Sequence, residues 1–203
     1  MKPRMLSRAE LPVDTMEMAR FLIGKLLVRD TPEGRTTGRI VETEAYPPGD
    51  ASGHHFRGET AANRAMFLEP GRVYVYFIYG VHFMLNVRPE PARTGGGVLL
   101  RALEPVDGIG LMQARRGTGS QRDLARGPGR LAQAMAITPE LNGLDMCRKG
   151  PIWLAKAPKP AGEIGVSVRI GITKEAHQIR RFHERGNPNV SGPAALNARV
   201  VSD

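Results

Sequence analysis

The chain of 203 residues has one cysteine, Cys147, and one tryptophan, Trp153. A lone cysteine excludes an intramolecular disulfide and a cysteine-built zinc cage, and it suits a reducing, cytoplasmic compartment. Long apolar runs are also missing. Stretches such as 21–23 and 98–100 fall far short of the roughly 20 residues that cross a bilayer, so no membrane span is expected. The N-terminal segment carries charge with no apolar stretch behind it, so no secretory leader is expected either. Acidic residues are in deficit, 20 against 29 basic ones, for a formal charge of +9. Lysine is scarce: six of the 29 basic residues are lysines, none of them between Lys25 and Lys149, and the other 23 are arginines. Planar arginine forks match phosphates and base edges better than ammonium groups do, so nucleic acid is favoured over a membrane surface.

What is present reads as one folded unit. Hydrophobic content of 41% and charged content of 24% exclude a disordered or fibrous chain, and the length suits a single domain over residues 1–203. Asp14 with Glu17 reads as a capping box opening a helix over 15–23, ended by Gly24. Strands are expected over 25–29 and 36–46, joined by the Pro32-Glu33-Gly34 turn. Residues 47–62 read as loop, with a short helix after Thr60. A second hairpin runs over 72–78 and 81–87 with its tip at Tyr79-Gly80. A strand over 98–103, helices over 107–116 and 129–137, a strand over 163–173 and an irregular tail complete the reading. The expected fold is α+β: a single compact domain with a largely antiparallel curved sheet, surrounding helices and a protruding β-hairpin.

The aromatic residues are unevenly placed. All four tyrosines, Tyr46, Tyr74, Tyr76 and Tyr79, fall within 34 residues. Ordinary sheet packing produces strand tyrosines too, but here the strand period of two sends Glu42, Glu44 and Tyr46 to one face and Val41, Thr43 and Ala45 to the other. A loop offering Asp50, His54 and His55 follows, and together these read as a cleft. Glu42 reads as the structural partner of an arginine, because two bare carboxylates on one strand face would repel. Tyr74, Tyr76 and Ile78 share a face of the second hairpin. Tyr79 at its tip is placed to enter a base stack as a wedge, as inserted side chains of minor-groove proteins do.

Four runs carry a resemblance: Gly38 to Tyr46 (GRIVETEAY), Asn63 to Phe67 (NRAMF), Gly71 to Gly80 (GRVYVYFIYG) and Val98 to Pro105 (VLLRALEP). They are similar to the alkyladenine (3-methyladenine) DNA glycosylase family, and the likeness extends from Leu22 to Asn187-Pro188, weakest in the tail. It implies an enzyme that removes alkylated or deaminated purines (3-methyladenine, 7-methylguanine, hypoxanthine, ethenoadenine) from double-stranded DNA, leaving an abasic site, with no cofactor and no metal. By position, Glu44 matches the family's water-activating carboxylate. Arg101 matches an arginine that helps hold the water and the backbone. Tyr46, His54 and Tyr76 match walls of the base pocket, and Asn86 an asparagine that excludes the 2-amino group of guanine. Ile170 matches a residue whose main-chain carbonyl contacts the water. Tyr79 matches the intercalating tyrosine, and Tyr74, Gly80 and Arg64 complete the expected DNA-binding set. The sequence departs from the family at a loop one residue shorter between Tyr46 and Asp50, and at Ala61-Ala62, where proline and arginine are usual.

The residues themselves agree with such chemistry. A purine alkylated at N3 or N7 is cationic, so aromatic walls attract it and the base leaves readily; a positioned carboxylate and water then suffice. A lyase would need an amine nucleophile, which the lysine-poor middle of the chain does not offer, so a monofunctional enzyme is expected, acting as a monomer. Two alternatives stay open: a noncatalytic nucleic-acid-binding module, and a metal-dependent nuclease built on Glu42, Glu44 and Asp50.

Overall fold

Local chemistry starts the first helix. After a short strand β1 (Arg4–Met5), the Asp14 carboxylate accepts the N–H groups of Met16 at 2.8 Å and Glu17 at 2.9 Å and opens α1 (Thr15–Leu22). Two of the orphan donors of a helix start are thereby satisfied. Gly24 turns the chain away at φ 82°, where a Cβ would meet Ala161 at 2.9 Å. Strands β2 (Leu26–Thr31) and β3 (Gly34–Tyr46) pair from Leu26 opposite Arg39 to Thr31 opposite Gly34, so the turn is only Pro32-Glu33. The second hairpin, β4 (Val73–Ile78) and β5 (His82–Val87), runs in register from Val73 opposite Val87 to Ile78 opposite His82. The computed structural model describes residues 3–78, 80 and 82–198, so Tyr79, the expected wedge, lies outside the described residues.

The remaining elements are β6 (Gly97–Asp107), α2 (Ile109–Arg116), α3 (Pro128–Ala134), β7 (Ile152–Lys156), β8 (Ile164–Val168), β9 (Ile179–Glu184) and α4 (Ala194–Ala198). Strands β7 and β9 and the tail helix α4 stand where sequence patterning shows no element. The strand expected over 163–173 stops at Val168, and Gly171 then takes φ 79°.

All strand pairs are antiparallel, in the order β1-β7-β2-β3-β6-β5-β4, with the β8–β9 pair joined to the sheet through β9 and β3. The sheet is not closed. Helices and sheet form a single compact α+β domain. Strand β3 is its pivot: one edge pairs with β6, while the other pairs first with β2 and then, from Glu42 to Glu44, with β9. Where it changes neighbours the register shifts between Ile40 and Thr43, as at a β-bulge. Strict alternation therefore fails at Val41, which packs with Ala102 and Val190, while Ile40 and Ala45 join the main core. That core includes Met18, Leu22, Leu85, Leu100, Leu103, Met112 and Leu131. Helix α1 lies on it, tied to β3 by the Thr43 hydroxyl donating to the Ala19 carbonyl at 2.9 Å. No helix among the described residues is long and apolar enough to cross a membrane.

Candidate active site

Beyond the bulge, β3 delivers Glu42, Glu44 and Tyr46 to one neighbourhood. Glu44 is fully buried. Its Oε1 accepts the Ile170 N–H at 2.7 Å and lies 3.3 Å from Arg101 Nη1; its Oε2 accepts the Tyr46 hydroxyl at 2.9 Å. Burial and the Glu44 charge push the Tyr46 phenol far above its ordinary pKa, so Tyr46 keeps its proton and donates at neutral pH. Ile170 reaches Glu44 because the chain has left β8. Its side chain crosses Gly192, at φ 81°, where a Cβ would come within 2.4 Å of Ile170 Cδ1.

Glu42 is also fully buried, with denser partners. Its Oε1 accepts from Arg101 Nε at 2.8 Å, Arg181 Nε at 2.7 Å and Ser191 Oγ at 3.0 Å, and its Oε2 from the Ser191 N–H at 2.7 Å. Burial alone would raise its pKa; the Arg101 and Arg181 guanidiniums outweigh that and hold it at about 2. Arg101, between the two carboxylates, is how they share one strand face.

In front of this polar layer opens a cavity of about 120 Å³, with Tyr46, His54, Met66, Tyr74, Tyr76, Ile78, Asn86 and Ile172 in its walls. His54 Nδ1 is 2.9 Å from the Tyr74 hydroxyl, and its ring centroid is 4.2 Å from that of Tyr76. Burial, with a smaller push from His55, lowers the His54 pKa, which keeps the ring neutral at pH 7. His55 turns the other way and donates Nε2–H to the Pro47 carbonyl at 2.8 Å. Burial pushes the Tyr74 phenol up to about 12. Asn86 faces Tyr74 across the hairpin and donates to its carbonyl at 3.3 Å.

The loop bearing His54 is clamped by Asp50, whose carboxylate accepts the Ser52 N–H at 2.9 Å and hydroxyl at 2.6 Å, an Asx-type turn. Asp50 also pairs with Arg169, and with Arg180 at 2.8 Å. Against the effect of burial, hydrogen bonds from Arg169 and Ser52 hold the Asp50 pKa below its ordinary value. Arg169 donates to the Ala45 carbonyl at 3.0 Å, and its guanidinium carbon lies 4.5 Å from the centroid of the Tyr46 ring.

The structure thus brings Glu44, Arg101, Tyr46, His54, Tyr76, Asn86 and Ile170 around one cavity and its polar floor. Of the residues expected on DNA, Tyr74 is buried in the cavity wall, Gly80 is exposed at φ 68°, and Arg64 is a largely exposed side chain 3.7 Å from Glu59. Sequence reasoning from spacing missed Arg169, Ser191 and the arginine clamp on Asp50. They sit 119 to 149 residues from the carboxylates they hold, and the Arg180-Arg181 dipeptide is the only local hint. Among the described residues, no group of three or more histidine, cysteine, aspartate or glutamate side chains is arranged to hold a metal ion.

The same residues lie within a match to the methylpurine-DNA glycosylase family model over residues 9–188. A relative from Mesorhizobium japonicum is 61% identical over 191 residues, covering 94% of this chain and 92% of its own. One from Paraburkholderia phytofirmans is 50% identical, covering 94% and 90%, and one from Methanoculleus marisnigri 47% identical, covering 88% and 94%. All three are named provisionally as 3-methyladenine DNA glycosylases. With a family match across most of its length and relatives this close, the chain belongs to the methylpurine-DNA glycosylase family.

Proposed function

We propose that the chain is a monofunctional DNA glycosylase of base excision repair. It takes an alkylated or deaminated purine, of the 3-methyladenine, 7-methylguanine, hypoxanthine and ethenoadenine class, out of duplex DNA into the cavity and hydrolyses the N-glycosidic bond. One observation carries this reading: a buried carboxylate, Glu44, held by two hydrogen bonds and an arginine ion pair, and joined through Tyr46 to the wall of an aromatic cavity.

Extruding a base costs a few kcal/mol, least for a damaged pair. Stacking against Tyr46, His54 and Tyr76 offsets part of this, and a cationic purine gains about 0.5 to 2 kcal/mol more from the ring faces. Tyr79 fills the gap in the stack, Gly80 and Arg64 support the DNA-facing side, and Tyr74 backs the cavity wall. Asn86, in the cavity wall, excludes the 2-amino group of intact guanine.

A carboxylate offers about four lone-pair positions. Tyr46 and Ile170 occupy two around Glu44 and Arg101 holds its charge as an ion pair, so lone-pair capacity is left to take a proton from the attacking water. As the base departs with the bonding electrons, the same negative charge stabilises the oxocarbenium-like sugar, and the water adds at C1′. The Ile170 carbonyl orients that water. No lysine lines the cavity among the described residues, in keeping with hydrolysis without a Schiff base.

The test uses lesion-bearing duplexes with a chelator present. The unmodified protein should release free base and leave alkali-labile sites on an uncut backbone. Glu44→Gln should bind the duplex and release base at least about 10²-fold more slowly. Lesion binding with no release from any substrate by the unmodified protein would replace this reading with a noncatalytic damaged-DNA-binding module.

A further inference from the structure

Arg169 takes no part in the chemistry above, yet it is buried against a wall of the cavity. Its guanidinium covers one face of the Tyr46 ring, and it is absent from the cavity lining, to which Tyr46 belongs. The cation therefore lies behind the ring, and Tyr46 separates it from whatever occupies the cavity. Its negative partner, Asp50, binds it through both terminal nitrogens, while Nε has no hydrogen-bond partner. The cation of the salt bridge thus stands over the Tyr46 ring, while Asp50 holds its two terminal nitrogens.

From this geometry we infer that Arg169 is a selectivity residue which, acting through Tyr46, reduces the advantage that the aromatic walls give cationic purine lesions over neutral ones. An aromatic face attracts a cation through its negative quadrupole. A guanidinium already bound to the opposite face draws on the same π-density and adds a direct repulsion, little screened in a buried site. A neutral purine stacking on Tyr46 meets neither penalty. The Asp50 charge moderates the effect and sets its size. The inference rests on the glycosylase reading and deepens it, by assigning a residue to the choice between two lesion classes.

Two substitutions with opposite expected signs test it. Single-turnover release would be measured from duplexes carrying 7-methylguanine, a cationic base, and hypoxanthine, a neutral one, with spontaneous loss subtracted. Arg169→Gln should raise the ratio of the 7-methylguanine to the hypoxanthine rate by about three- to ten-fold. Asp50→Asn, which leaves the arginine less compensated, should lower that ratio. A merely structural role for the pair would slow both releases together and leave the ratio unmoved in both variants, and that result would overturn the inference. Should Arg169→Gln fail to fold, Asp50→Asn decides alone, an unchanged or raised ratio refuting it. Release of neither base by the unmodified protein would overturn the glycosylase reading and this one with it; release of both with unaltered ratios overturns only the selectivity.

Discussion

Glu42 and Glu44 are two residues apart on β3, and their partners give them different work. Glu42 accepts four hydrogen bonds and neutralises two buried arginines. Glu42→Gln should therefore leave Arg101 and Arg181 undercompensated and destabilise the fold by about 3 kcal/mol, read from urea unfolding. Its folded pKa of about 2 lies below the ordinary 4.5. The stabilisation from Glu42 is accordingly complete above about pH 4.5 and is lost as pH falls towards 2. Thermal melts of the unmodified protein should decline through that window, and Glu42→Gln should flatten the decline. Glu44 touches the cavity wall through Tyr46, so Glu44→Gln should act on base release far more than on stability. A melting temperature that drops as much for Glu44→Gln as for Glu42→Gln would contradict this division.

At the scale of elements, a glycine and a cap hold the site's supports in place. Gly192→Ala would place a methyl group against Ile170 and strain a left-handed backbone. The Ile170 N–H would move off Glu44, and base release should fall about tenfold or more while the chain still folds; unchanged release would show that this contact relaxes freely. Asp14→Ala removes the cap of α1 and should cost about 1 kcal/mol in unfolding experiments, with the lesion preference unchanged. The hairpins β2–β3 and β4–β5 and the helix α1 were legible because their signals are local: Pro32-Glu33, an alternating tyrosine face, and an aspartate ahead of an apolar stripe. Strand β9 was not. Its sequence IRRFHE reads as polar, yet Arg181, His183 and Glu184 are buried because distant partners pair with them. Strand β7, four consecutive buried residues followed by an exposed one, has no alternation to find. The break at Val168 follows from the need to turn Ile170 towards Glu44, which no local pattern announces. Glu44, Tyr46 and His54 were readable for the opposite reason: one strand and the loop after it carry all three.

For the whole molecule, the formal charge of +9 bears on the encounter with DNA. A basic protein that pairs its arginines with phosphates displaces condensed counterions on binding, so affinity for undamaged duplex should fall steeply and log-linearly with salt. A salt-independent affinity would point to a contact dominated by stacking. The compact single-domain fold places the cavity between the end of β3, at Tyr46, and the β4–β5 hairpin, while β3 also carries the buried Glu42 cluster, so chemistry and stability share the same strand.

That strand is made early, and its partners are made late. Glu44 is separated from Ile170 by 126 residues, and Glu42 from Arg181 and Ser191 by 139 and 149. A ribosome working at about 5–20 residues per second needs roughly 7 to 30 s to cover the longest of these intervals. For most of it the two carboxylates have only Arg101, made 59 residues after Glu42, as a shared counter-charge. A half-made chain therefore lacks part of the polar cluster, and the partners of the two carboxylates are all present only once Ser191 has been made.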